Sequence, residues 1–216
     1  MNCIYTVSVG NQNCFDVCTD SQKRYAQRIG VDFVCRHDFK SDVMELGIDR
    51  DKYFVADLLK IYDRVLYLDA DVFIKKDALD IFEFYKDNSN FIIYNEVMFN
   101  GVQMDDAIKK AMDKNGIIEW QKTNGHYDWL NAGVMLFSKG HENIMEYNAD
   151  EFFKLDGYPL LYDMAYMTYK IYKYEIPVTY MDKRFNTMIY FEDQGDFLHF
   201  ANVHDRNESI EKYKEL

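Results

Sequence analysis

Residues 64–74 read RVLYLDADVFI, from Arg64 to Ile74. Val65 to Leu68 is an unbroken apolar run, the pattern of a central strand covered on both faces. Asp69 stands immediately after it, and Asp71 follows across Ala70. Ligands of open α/β sheets bind outside the carboxyl ends of the strands, so this is where a binding site is expected. Two close carboxylates repel each other unless something neutralises them. A divalent cation does so, and carboxylate oxygens suit magnesium or manganese. An isolated Asp-x-Asp is more often a turn with two solvated carboxylates; the apolar run before this one makes the two readings even.

The flanking sequence alternates strand and helix patterns. Cys3–Val9 is rich in β-branched residues and ends at Gly10, which predicts a buried strand. Cys14–Ile29 has helical spacing, with Gly30 as its stop. Val31–Cys35 is a second short strand, and the succession suggests a right-handed parallel crossover. Lys52–Tyr62 carries Phe54, Leu58 and Ile61 near one helical face. Further strands are expected at Phe91–Tyr94, Gly133–Phe137, Val178–Met181 and Phe197–Phe200. Helices are expected at Asp105–Asp113, Asn143–Lys154 and Asp163–Tyr172, and the charged tail Asn207–Leu216 reads as a peripheral helix or frayed end. The rest of residues 100–127 is polar and low in pattern. There is no internal repeat and no Pro/Gly/Ser-rich linker. The expectation is one α/β domain over residues 1–216, with a mostly parallel central sheet flanked by helices.

Composition narrows the partners. The 216 residues are 48% hydrophobic, enough for one substantial core. The formal net charge of −12 repels a phosphate backbone, so a nucleic-acid partner is not expected. An acidic chain still binds a nucleoside diphosphate when a divalent cation bridges the two. Cys3, Cys14, Cys18 and Cys35 lack the paired spacing of a zinc site. A chain with a core of this size does not need disulfides, so a reducing, cytoplasmic setting is expected. No stretch approaches the roughly 20 apolar residues of a membrane span, and the first ten residues read as a strand rather than a signal peptide.

Two further segments carry chemistry. In Phe197–Arg206, FLHFANVHDR, His199 ends a short apolar segment. A lone His is more often structural. A neutral imidazole joining Asp69 and Asp71 would make an O,O,N set, which leans from magnesium towards manganese; His204 is the weaker candidate. In Tyr127–Phe137, YDWLNAGVMLF, the Asn131 side chain offers donor and acceptor to sugar hydroxyls. Gly133 lets a ligand or backbone approach closely. Alone, that segment would read as a turn entering a strand.

Together YDRVLYLDADVFI, LNAGVMLF, LHFAN and KRFNTM (with Asn186) resemble the nucleotide-sugar glycosyltransferases of the A-type fold. The likeness is greatest to family 8, the glycogenin and lipopolysaccharide galactosyltransferase group. The resemblance implies a metal-binding half, 1–100, and a donor-sugar and acceptor half, 101–216. It implies manganese, with magnesium as the alternative, held by Asp69, Asp71 and His199 and bridging the phosphates of a nucleotide-sugar, most simply a UDP-sugar. Thr6, Val7 and Ser8 would line the base and ribose site. Lys52, or Lys60 as the alternative, would meet phosphate or donor sugar beside Ala70. Asn131, Gly133 and Asp163 would contact the sugar. The acceptor would be a glycan, protein or lipid-linked hydroxyl. Two departures stand out: Met164 replaces the family's Gln after Asp163, and Ala201 to Arg206 replaces the Gly, Lys, Pro and Trp that follow the family's His. Arg206 could serve the phosphates in place of that Lys. An inverting transferase needs a carboxylate base, for which Asp128 and Asp163 are candidates; a retaining one does not. The rival readings are a haloacid-dehalogenase-like phosphatase, whose paired Asp would have to be Asp105-Asp106 after no apolar strand, and a non-catalytic nucleotide-sugar-binding module.

Overall fold

The computed structural model describes residues 1–9, 13–37, 49–101, 105–106, 108–109, 121–146, 148, 162–190, 194–201, 203 and 205–214. The first apolar stretch forms β1 (Asn2–Val7), buried from Cys3 onward. Helix α1 (Asn13–Ile29) follows. Gly30 stops it in the left-handed region, at φ +72°, while the Val31 N–H returns 3.0 Å to the Ala26 carbonyl. β2 (Asp32–Arg36) then pairs parallel to β1, as the strand–helix–strand pattern predicts.

The single helix expected over Lys52–Tyr62 is instead two short pieces, α2 (Asp49–Lys52) and α3 (Val55–Leu59). The Asp51 carbonyl accepts the Tyr5 hydroxyl at 2.7 Å and the Phe54 N–H at 3.2 Å. With that carbonyl taken, the chain tightens into three-residue bonds and loses helical register. Val55, Leu58 and Leu59 still reach the core, while Ile61, expected on the same face, is exposed.

The decisive segment forms β3 (Arg64–Asp69) and, past the turn at Ala70-Asp71, β4 (Val72–Ile74). There follow α4 (Ile81–Phe84), β5 (Phe91–Asn95), α5 (Glu96–Asn100), β6 (Lys122–Thr123), β7 (His126–Tyr127) and β8 (Leu130–Ser138). The chain ends with α6 (Tyr162–Lys173), β9 (Val178–Tyr180), β10 (Thr187–Met188), β11 (Phe197–His199) and α7 (Arg206–Glu211). The main sheet has the order β2-β1-β3-β8-β5-β9. Only β8 runs against the others, so the sheet is mostly parallel as expected. Side chains alternate between its faces with period two. Tyr5, Tyr67, Met135 and Phe137 pack with α3 and α6 on one side; Ile4, Leu66, Leu68 and Leu136 pack with α1 and α4 on the other. A second sheet, β10-β11-β4, leans on the end of β3.

Three expectations need adjusting. Asn131-Ala132-Gly133 lies inside β8, not in a turn before it, at a break where Ile93 faces Met135 but Tyr94 faces Asn131. The stretch 122–127, read as unpatterned, is a hairpin turning on Asn124 and Gly125, both at positive φ; Asn-Gly is the strongest short hairpin signal there is. A 3-10 turn, Glu142–Ile144, stands where the Asn143–Lys154 helix is expected; Met145, Glu146 and Asn148 are not helical, and the other residues of that helix, like most of Asp105–Asp113, fall outside the described residues. No helix among the described residues is long and apolar enough to cross a membrane, and no disulfide joins Cys3, Cys18 or Cys35.

The α6 C-terminus gives a stability prediction. Glu175 sits at φ +50°, and the Ile176 N–H returns 2.9 Å to the Ile171 carbonyl. This is the position that glycine normally fills at a helix end. Glu175→Gly is expected to stabilise the fold by about 0.5–1 kcal/mol, the relieved left-handed strain outweighing the entropy of a new glycine. A calorimetric melting point unchanged or lowered by this substitution would contradict it.

Candidate functional site

The site is built where the carboxyl ends of β1 and β3 meet the start of β8. Val7 and Asp69 are register partners across β1 and β3. Helix α1 braces the turn after β3: the Gln22 amide donates to the carbonyls of Asp69 (2.9 Å) and Val72 (2.8 Å), and the Ser21 hydroxyl accepts the Ile74 N–H. These bonds fix the backbone of the turn that carries the two carboxylates.

His199 reaches them through the small sheet. β11 runs antiparallel to β4 with His199 opposite Val72, and the Phe200 N–H bonds to the Asp71 carbonyl at 3.0 Å. The pairing is held by Phe73, Leu198, Phe200 and Ile210 packing against Cys18 of α1. As a result His199 Nε2 lies 3.4 Å from Asp71 Oδ1 and 4.0 Å from Asp69 Oδ2. One ligand atom from each residue falls within 4.8 Å of the other two. Ligands at about 2.0–2.2 Å from a shared ion stand roughly 3–4.4 Å apart, so the three fit one small divalent cation with slight closure.

Cations already surround the carboxylates. Lys52 Nζ is 3.1 Å from Asp69 Oδ1, which also accepts the Tyr67 hydroxyl at 2.7 Å. Arg206 Nη2 is 3.4 Å from Asp71 Oδ2. Burial alone would raise the Asp71 carboxyl, but His199 and then Arg206 outweigh it and hold it below its ordinary value. Burial would likewise lower His199, yet Asp71, Asp69 and Glu96 together hold it above its ordinary value.

Gly133 is at this point because the imidazole needs the space. A Cβ there would fall 2.1 Å from His199 Cε1. Next to it, Asn131 Oδ1 accepts the Gly133 N–H at 2.9 Å, and its amide donates to Glu96 Oε1 at 2.6 Å. At the end of β1, the Thr6 hydroxyl is buried with no hydrogen-bond partner among the described residues. Val7 and Ser8 follow it, both buried.

The structure thus gathers Thr6, Val7, Ser8, Lys52, Asp69, Ala70, Asp71, Asn131, Gly133, His199 and Arg206 around the carboxyl ends of β1 and β3. It does not bring Lys60 there: that side chain is exposed on Asp57, 2.6 Å away, because the broken helix turns it outward. Asp128 is buried in a different set of bonds, to the Asn95 amide (3.0 Å) and the Tyr172 and Tyr180 hydroxyls. Asp163 lies in the first turn of α6, its side chain outside the described residues, as is His204. Asp105 is occupied by His126 and the Tyr127 N–H. Glu96 was overlooked. Its signal was the same one that marked Asp69, an acid just past the end of an apolar strand.

No protein-family model and no curated protein matches this chain. Solved structures do. A glycosyltransferase involved in the glycosylation of the major capsid of PBCV-1 superposes with a TM-score of 0.62 over 99% of this chain and 100% of its own, at 15% identity. The galactosyltransferase LgtC, solved with donor and acceptor sugar analogs, gives 0.58 over 100% and 95%, at 14% identity. GlyE of Streptococcus pneumoniae gives 0.60 over 100% of this chain and 61% of its own, at 14% identity. The chain has the A-type fold of nucleotide-sugar glycosyltransferases.

Proposed function

We propose that this protein transfers a sugar from a nucleotide-sugar donor, most simply a UDP-sugar, to an acceptor hydroxyl on a glycan, protein or lipid-linked molecule. The observation that carries this is the Asp69, Asp71 and His199 cluster, built by two sheets at the strand ends where this fold binds ligands. Its oxygen, oxygen, nitrogen donor set favours manganese over magnesium. A bound ion would supply charge stabilisation to the departing nucleoside diphosphate. The residues of the chain do the rest. Lys52 pairs with Asp69 and Arg206 with Asp71, and each can exchange part of its ion pair for a phosphate oxygen. Thr6, Val7 and Ser8, at the carboxyl end of β1, border the base and ribose. Asn131 and Gly133 border the donor sugar, with Asp163 at the start of α6. Of the two carboxylates considered for an inverting mechanism, Asp163 is the one left to it, since Asp128 is committed to Asn95, Tyr172 and Tyr180. Among the described residues Cys3, Cys18 and Cys35 form no disulfide, which accords with a cytoplasmic setting.

Activity is tested with UDP-glucose, UDP-galactose, UDP-N-acetylglucosamine and GDP-mannose, with manganese, magnesium or chelator, and without acceptor. The expected result is slow manganese-dependent release of nucleoside diphosphate from one donor. Binding of a donor, seen as a raised melting temperature, with no turnover of any would instead make the protein a binding module. The absence of both binding and turnover with every donor would overturn the assignment.

A further inference from the structure

Four buried side chains form one file through the site. His199 Nδ1 lies 2.9 Å from Asn186 Oδ1, Asn186 Nδ2 lies 3.0 Å from Asn131 Oδ1, and Asn131 Nδ2 lies 2.6 Å from Glu96 Oε1. Asn186 is fully buried, and Asn131, Glu96 and His199 are nearly so. An amide or an imidazole can face either way. Here the far end removes the choice. A Glu96 carboxylate only accepts, so Asn131 must turn its NH2 towards it. The Gly133 N–H, which only donates, meets the other side of Asn131 and imposes the same orientation. Asn131 Oδ1 therefore requires the NH2 of Asn186, whose Oδ1 then faces His199. Facing an acceptor, Nδ1 must carry the proton.

We infer that Asn186 is a positioning residue, held by Asn131 and Glu96, that locks His199 as the Nδ1–H tautomer with Nε2 turned to Asp69 and Asp71. This inference rests on the metal reading above. It also makes Asn131, on the donor-sugar side, part of the support of a metal ligand. Partners of this kind fix ring orientation and raise ligand basicity.

The test has a metal-free and a metal-loaded readout on the full chain. Long-range proton–nitrogen NMR of the imidazoles, with His199 assigned by its loss in His199→Gln, is recorded without metal, at a pH above the ring's titration and in an Asp71→Asn background, because Asp71 Oδ1, 3.4 Å from Nε2, is itself an acceptor that would draw the proton. The expected spectrum shows His199 protonated on Nδ1 when residue 186 is the wild-type Asn and on Nε2, or as a mixture, in Asn186→Leu. Manganese affinity, measured with Asp71 intact by electron paramagnetic resonance of the free ion, is expected to fall about 10–100-fold in Asn186→Leu. Glu96→Gln, which can still turn an oxygen to Asn131, is expected to keep the wild-type tautomer and guards against a leucine variant that fails to fold. An Nε2–H tautomer with Asn186 in place, or unchanged tautomer and affinity in a folded Asn186→Leu, overturns the inference. An Nδ1–H tautomer lost in Asn186→Leu, with no manganese bound by any chain that keeps Asp71, upholds the positioning role and overturns the metal reading instead.

Discussion

Asp71→Asn is expected to abolish manganese-dependent donor hydrolysis, reducing it by at least about a thousandfold, while leaving the chain folded. Metal stabilisation of a leaving group amounts to several kcal/mol, and about 1.4 kcal/mol is a factor of ten in rate. The amide matches the carboxylate in size but brings no charge to a cation. Asp71 also neutralises His199 on one side and Arg206 on the other. In the variant His199 can shed its proton, and Arg206 is part-exposed and still donates to the Phe200 carbonyl, so the metal-free melting temperature should change little. The metal response should change much more. An ion at a hundred times its dissociation constant stabilises the wild type by about 2.7 kcal/mol, or roughly 5–10 °C for a chain of this length; the variant should show almost none. Hydrolysis and a manganese-induced shift that both survive in Asp71→Asn would remove this residue from the metal site.

What could be read in advance followed from local pattern. Asp69 and Asp71 were readable because an apolar strand must end somewhere, and in this fold class it ends at the site. His199 was readable only as one of two histidines, since nothing in FLHFANVHDR states that β11 pairs back onto β4; that is a contact across more than a hundred residues. Lys52 and its alternative Lys60 lie on one predicted helix, and the structure separates them where Tyr5 takes the Asp51 carbonyl and the helix breaks. Glu96 has a local signal, an acid after an apolar strand, and Asn186 stands in a family-like segment, but their bonds through Asn131 to His199 join distant segments that no periodicity links. Asp128 looked like a candidate base beside Trp129 and Leu130. Its place in β5–β9 packing, bonded to Asn95, Tyr172 and Tyr180, depends on the sheet order.

Gly133→Ala is expected to cost metal affinity without touching a ligand. No unusual backbone conformation requires glycine at this position, since its φ lies outside the left-handed region. The requirement is space: the added methyl would lie 2.1 Å from His199 Cε1 and 2.8 Å from both ring nitrogens. The imidazole cannot simply swing aside. Its Nδ1 is held by Asn186, and its strand is paired on both edges, to β4 and β10. Overpacking of this kind costs about 1–3 kcal/mol, and a displaced ligand should weaken manganese binding by about 10–100-fold. Adding His199→Ala to Gly133→Ala empties the contested space. If the clash is the cause, the double variant should lose less stability than the two single changes summed, by an interaction of about 1 kcal/mol or more. Strict additivity in urea unfolding would mean that β8 had shifted to accept the methyl, and that the close approach of Gly133 does not hold His199 in place.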